Sequence, residues 1–160
     1  MSEISDAIQE KCLAFGDRII KLNDYLLAQA VAAHDEYKKS KLQKKGKTSS
    51  FFHQTSDISV AAVPLYLQSV ANLSNQLLRA GTSIGANNSE ACNAISKADF
   101  KSKSFIALKE ARESLYWIEL LYRNEYLDEK QYTSIHDDCE ELVKILVHRC
   151  KKLDGNGTEK

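Results

Sequence analysis

QLLRAGTSIGANNSEACNAISKADFKSKSFIALKEARESLYWIELL, residues 76–121, carries helical periodicity on both sides of a polar middle. Upstream, Tyr66, Val70, Leu73, Leu77, Ala80 and Ile84 recur at steps of four and three, and downstream Ser104, Leu108, Ala111, Leu115, Ile118 and Tyr122 do the same. This spacing puts mostly apolar side chains on one helical face. Between the two stripes Asn87 stands three residues before Glu90, the pattern of a capping box, and Gly81 and Gly85 lie where a helix can end. The stretch therefore predicts one helix closing near the glycines and another opening at Asn87.

Two more stripes flank it. Ile8, Cys12, Phe15, Ile19, Leu22 and Leu26 form one, and Ile135, Cys139, Leu142, Leu146, Cys150 and Leu153 form the other. Asp128 with Gln131 repeats the box pattern before the last stripe, and the short turn around Asn124–Asp128 makes the third and fourth helices antiparallel neighbours. The fold predicted is all-α, an antiparallel up-down four-helix bundle over residues 1–153, with a frayed tail at 154–160. Pro64 suits the first turn of the second helix.

Composition agrees with one helical domain. The chain has 160 residues, of which 43% are hydrophobic, with only six Gly and one Pro to build turns. No stretch approaches the ~18 apolar residues of a membrane span. The N-terminal residues start acidic, unlike a secretory signal, so the expected location is the cytoplasm. Lys+Arg and Asp+Glu number 22 each, so any polyanion binding has to come from local clustering. Cys12, Cys92, Cys139 and Cys150 have no zinc-ligand spacing and read as small core residues, so no metal and no cofactor is expected.

The connection between helices one and two, residues 38–63, is basic and polar. Lys38, Lys39, Lys41, Lys44, Lys45 and Lys47 are uninterrupted by any acid, and Phe51, Phe52 and His53 follow. A solvated insertion is one reading. A phosphate-contacting or partner-docking arm is the other, since aromatics beside lysines can stack on bases or anchor a protein.

No phosphate-binding glycine loop, HExxH or Glu-x-x-His pattern is present, and the expectation is a protein without enzymatic activity. On helix three, Ile106, Glu110, Glu113, Trp117 and Leu120 form a second stripe away from the first. Buried carboxylates there would need partners, for which Arg79 and Arg112 are candidates. An ion network fixing helix register or a subunit interface, a ligand site, and an acid–base pair are the readings this stripe allows. A helix apolar on two sides is buried on two sides, so one side is expected to meet the core and the other a neighbouring subunit.

These residues resemble a bacterial four-helix-bundle family. It was first noted as reading frames in intervening sequences of 23S ribosomal RNA genes, and it includes the accessory variability determinant of diversity-generating retroelements. The family pattern QLLRS-x-TSIGAN-x-x-EA is matched over Gln76–Ala91, with Arg79, Asn87 and Glu90 in place. Asp99 and Phe100 match its DF pair, and Lys109–Leu121 matches KEA-x-E-x-x-YWLELL, with Glu110, Glu113 and Trp117 in place. Ala14–Leu26 is similar to the family's first helix. Ala80, Asn88 and Ile118 depart from the common residues, and the long connection between helices one and two is the main departure. The resemblance implies antiparallel bundles assembled into ring-like homopentamers. For the retroelement members it implies binding of RNA or DNA and association with a reverse transcriptase. Our physical reading of the motif residues is structural: Asn87 and Glu90 as caps, and Arg79, Glu110 and Glu113 as an inter-helix network, with Trp117 on the same face. The expected function is a nucleic-acid-associated accessory protein working through the six lysines. The alternative is a protein-interaction scaffold without nucleic acid.

Overall fold

The computed structural model describes residues 3–45 and 56–155. They form four helices and, among the described residues, no strand: α1 (Glu3–Lys45), α2 (Ser56–Cys92), α3 (Lys97–Arg123) and α4 (Glu129–Leu153). Each helix packs on its neighbours in sequence, and α1 meets α4 to close the bundle. No described helix is long and apolar enough to cross a membrane.

The four stripes supply the core. Cys12, Phe15, Ile19 and Leu26 of α1, Val70, Leu77 and Ile84 of α2, Leu108, Ala111 and Ile118 of α3, and Ile135, Cys139, Leu142, Leu146 and Cys150 of α4 are all buried in one cluster. The cysteines are free. Burial pushes the Cys12 thiol up to about 11 and the Cys139 thiol up to about 12, so both act as small apolar groups.

Contacts across the helices follow a regular order. Along α1, Ser5 meets Cys92, Gln9 meets Gly85 and Asn88, and Asn23 meets Ser74, so positions rise on α1 as they fall on α2. Lys11 pairs with Glu141 at 2.9 Å and Arg18 with Asp138, so α4 is met in the same falling order. Between α3 and α4, the Tyr132 hydroxyl donates to Glu119 at 2.6 Å and Lys101 pairs with Asp154 at 2.6 Å.

The helix ends correct part of the sequence reading. Asp128 and Gln131 form the predicted capping box at α4, with bonds of 2.8 and 3.0 Å. Asn87 and Glu90 do not form one, because α2 runs unbroken past them to Cys92. Asn87 Nδ2 instead donates to the Ser83 carbonyl at 2.9 Å, and Glu90 pairs with Lys103 across the turn. The cap of α3 is Ser96, whose hydroxyl accepts from the Asp99 amide at 3.1 Å. Of the connection at 38–63, residues 38–45 belong to α1, which continues through Lys45, and residues 56–63 to α2, which begins at Ser56, leaving Pro64 inside α2 rather than in its first turn.

Gly81 and Gly85 are therefore not helix ends but close-approach points. A Cβ on Gly81 would lie 2.9 Å from Ile19 Cγ1, and one on Gly85 would lie 3.4 Å from Cys12 Cβ. Ile19 is β-branched and buried, so it has little freedom to move aside. Gly81→Ala is thus expected to destabilise the protein by about 1–3 kcal/mol, although alanine favours helix by about 1 kcal/mol. At Gly16 an added methyl meets nothing within 4 Å, so Gly16→Ala should stabilise by about 0.5–1 kcal/mol. Urea unfolding of both variants checks this, and stabilisation by both would contradict the close α1–α2 contact.

Candidate functional site

Three regions bear on function. The first is the lysine end of α1. Lys38, Lys39, Lys41, Lys44 and Lys45 all lie on this one helix, and the Lys39 side chain is exposed. They follow one another without a break because residues 31–45 contain neither Gly nor Pro, and lysine is a good helix former. Lys47, Phe51, Phe52 and His53 lie outside the described residues.

The second region is the outer face of α3. Trp117 Nε1 donates to Glu113 Oε1 at 3.0 Å, and the Tyr116 ring meets Trp117 edge-on at 4.9 Å between centroids. Ile106, Glu110, Trp117 and Leu120 are half-buried, while Glu113 and Arg79 are exposed. The expected ion network is not made by contact. Among the described residues no ion pair joins Arg79 or Arg112 to Glu110 or Glu113. Glu110 nevertheless feels its surroundings: burial pushes its carboxyl above the ordinary range, the charge of Glu113 adds to this, and Arg79 opposes it. The face thus combines an indole hydrogen-bonded within its own helix, half-buried apolar side chains and a carboxylate pushed toward its neutral form.

The third region escaped the sequence reading. A cavity of about 1450 Å³ opens at the end of the bundle opposite the lysine end of α1, where α1 begins, α2 turns into α3 and α4 ends. Lys97, Lys101, Lys144, His148, Arg149 and Lys152 line it, and among the described residues no Asp or Glu does. Arg149 Nη1 donates to Asn88 Oδ1 at 2.6 Å, and its guanidinium lies 5.7 Å from the centre of the Phe100 ring. The sequence signal was available as basic residues four apart, Lys97 with Lys101 and Lys144 with His148, which share a helical face. The lysine-rich run at 38–47 was denser and drew the reading away from them. Among the described residues no group of three or more His, Cys, Asp or Glu side chains is placed to hold a metal.

Because the folded state raises the Glu110 carboxyl, it favours the protonated form. The associated stability is full at low pH and is lost as pH rises through the raised value. Glu110→Gln should therefore be more stable than the parent at pH 7, with the advantage vanishing below about pH 4. Urea unfolding at the two pH values measures this, and a loss of stability at pH 7 would mean that Glu110 is held by a partner as an ion.

Residues 50–148 match the family model described as 23S rRNA-intervening sequence protein. The matched region begins after the lysine run and contains the α3 face and four of the six basic residues named around the cavity. A solved structure of a protein with unknown function from the S23 ribosomal protein family of Bacteroides thetaiotaomicron is 36% identical to this chain. The match covers 92% of this chain and 97% of that one, with a TM-score of 0.64. No curated protein matches the chain. The family model spans more than half of the sequence and the solved relative nearly all of it, and on both grounds the chain belongs to the 23S rRNA-intervening sequence protein family.

Proposed function

We propose that the chain is a non-enzymatic, cytoplasmic accessory protein that associates with RNA or DNA through the lysine end of α1, as a homo-oligomer of antiparallel up-down bundles. The observation that carries the nucleic-acid reading is the placement of five lysines within the last eight residues of one continuous helix. A helix holds cations at fixed spacing, and a ring of subunits multiplies weak phosphate contacts through effective concentration. Support of a reverse transcriptase, in a pentameric ring, is the finer form of this reading and follows from the family resemblance. The falling order of contacts from α1 to α2 and α4 supports the antiparallel arrangement.

Self-association is supported by apolar side chains that a single chain leaves open. Leu13, Ile20, Leu27 and Val31 are exposed on α1 at heptad-like steps, and Tyr116 is exposed beside Trp117 on α3. The same surface favours a second reading, a protein-interaction scaffold without nucleic acid.

Single-stranded RNA and DNA binding over a salt series separates the two. Log affinity should fall linearly with log salt, at about 0.7 per phosphate contacted, and replacement of the six lysines by alanine should flatten the slope. Salt-independent binding, or none at low salt, overturns the nucleic-acid reading and leaves the scaffold. Light scattering tests assembly: the parent should exceed the 18.0 kDa chain mass, and Leu120→Glu should return it toward one chain with unchanged helical content. A parent at one chain mass removes the ring.

A further inference from the structure

The cavity at the α2–α3 turn collects cations in a chain whose formal net charge is zero. On α4 this has a structural reason, since Lys151 and Lys152 in the last turn offset the negative end of the helix dipole. On α3 it has none. Lys97 and Lys101 sit at the start of that helix, where the dipole is positive and cations are unfavourable. Asp99 is the acid of the first turn, and its carboxylate accepts the Ile95 amide at 3.2 Å. Lys101 is offset by Asp154 and Lys144 by Glu140, at 2.6 and 2.8 Å. Lys97, His148, Arg149 and Lys152 have no carboxylate within ion-pair distance among the described residues. Local electrostatics that work against the fold mark a place where something else is served.

Arg149 is the fixed element of the group. Its Nη1 donates to Asn88, which is 0% exposed and is held in turn by a 2.5 Å bond from its Nδ2 to Gln9 Oε1. The Phe100 ring lies against the guanidinium. Both partners are uncharged, so they orient the guanidinium without neutralising it, and its other N–H groups are left for an anion. Lys97 and Lys101 from α3 and Lys152 from α4 line the same cavity, with the His148 imidazole beside them, so its cations come from two helices. A carboxylate is satisfied by one arginine fork, whereas a phosphate presents three oxygens and close to two charges to several donors. Most of the remaining lining is apolar, including Ile145 and Ile95, the latter 96% exposed at the rim.

We infer that this cavity is a phosphate-binding site, which takes the phosphate of an organic phosphate on Arg149, Lys97 and Lys152 and lays its apolar or aromatic body along Ile95 and Ile145. A free nucleotide and the phosphorylated end of a nucleic-acid strand both carry this chemistry. The inference stands apart from the lysine end of α1, which lies at the other end of the bundle.

Calorimetric titration of the full chain with inorganic pyrophosphate tests it. Saturable binding is expected, weakened about tenfold or more in Lys97→Gln/Lys152→Gln, as for the loss of one or two charge-assisted hydrogen bonds. Both lysines are exposed, so the variant keeps the core, which its helical content verifies. Arg149→Lys keeps the charge but loses the fork, and should also weaken binding. Replacing the six lysines at 38–47 by glutamine should leave pyrophosphate binding unchanged, so the result is separate from the test of the nucleic-acid reading. Adenosine monophosphate competing with pyrophosphate assigns the site to free nucleotides. Competition by a 5′-phosphorylated single-stranded RNA, and not by its unphosphorylated form, assigns it to strand ends. Absence of saturable pyrophosphate binding, or equal weakening in the Lys97/Lys152 and the 38–47 variants, overturns the inference.

Discussion

The approach of α1 to α2 at Gly81 is the constraint on which the remaining packing depends. With no Cβ at that position, Ile19 can fill the seam between the helices, and Gly85 gives Cys12 similar room four residues on. Close backbones at this point bring Gln9 of α1 within hydrogen-bond reach of Asn88 on α2. Asn88 then reaches Arg149 on α4, and Arg149 lies over Phe100 on α3. A chain of neutral and charged partners thus crosses all four helices at one end of the bundle. Its middle member is fully buried, where an unpartnered amide would cost about 1–3 kcal/mol. The chain fixes the register in which four otherwise similar apolar stripes meet, because a slip of one turn would break it.

What was legible in the sequence was what periodicity alone decides. The stripes through Phe15, Leu77, Ile118 and Leu142 identify the buried faces, since the heptad-like step leaves no strand alternative. The Asp128–Gln131 cap was legible because a short turn isolates it. The α2–α3 boundary was not. Glycine in a helix can end it or admit a neighbour, and Asn87 three residues before Glu90 can cap a helix or sit within one. Tertiary packing against Ile19 chose the second use of each. The actual signal, Ser96 three residues before Asp99, lay a short way downstream. Whether Arg79 joins Glu110 and Glu113 of α3 was not legible for a related reason. Helical spacing places Glu110, Glu113 and Trp117 on one face, but spacing on α3 does not settle whether Arg79, on another helix, comes within contact.

Net charge was the least informative quantity in the sequence. A total of zero conceals two local groupings of cations, five lysines on the last turns of α1 and five Lys and Arg side chains around the cavity. Many of the compensating carboxylates lie along the sides, where Glu141 and Asp138 hold α4 to α1 and Glu119 holds Tyr132 and Arg123. Exposed pairs of this kind contribute little to stability, about 0–1 kcal/mol each.

The motif residues that carry the family resemblance divide by what they do in a single chain. Gly81, Ile84, Gly85 and Ala91 are buried, and Gly81 and Gly85 set the α1–α2 seam. Their identities are explained by the fold itself. Arg79, Glu113 and Trp117 are different. Arg79 and Glu113 are exposed, and the Trp117 indole hydrogen bond is made within its own helix to that exposed carboxylate. No core contact within one bundle requires an arginine or a glutamate in these places, whereas the Trp117 ring packs partly against the core. Glu110 is held by the folded chain at a cost to its charged form, and Arg79 lowers that cost without touching it. The face thus sets a half-buried indole, Ile106 and Leu120 beside a carboxylate that burial pushes toward its neutral form, a combination that helical spacing on α3 brings together and the core alone does not require.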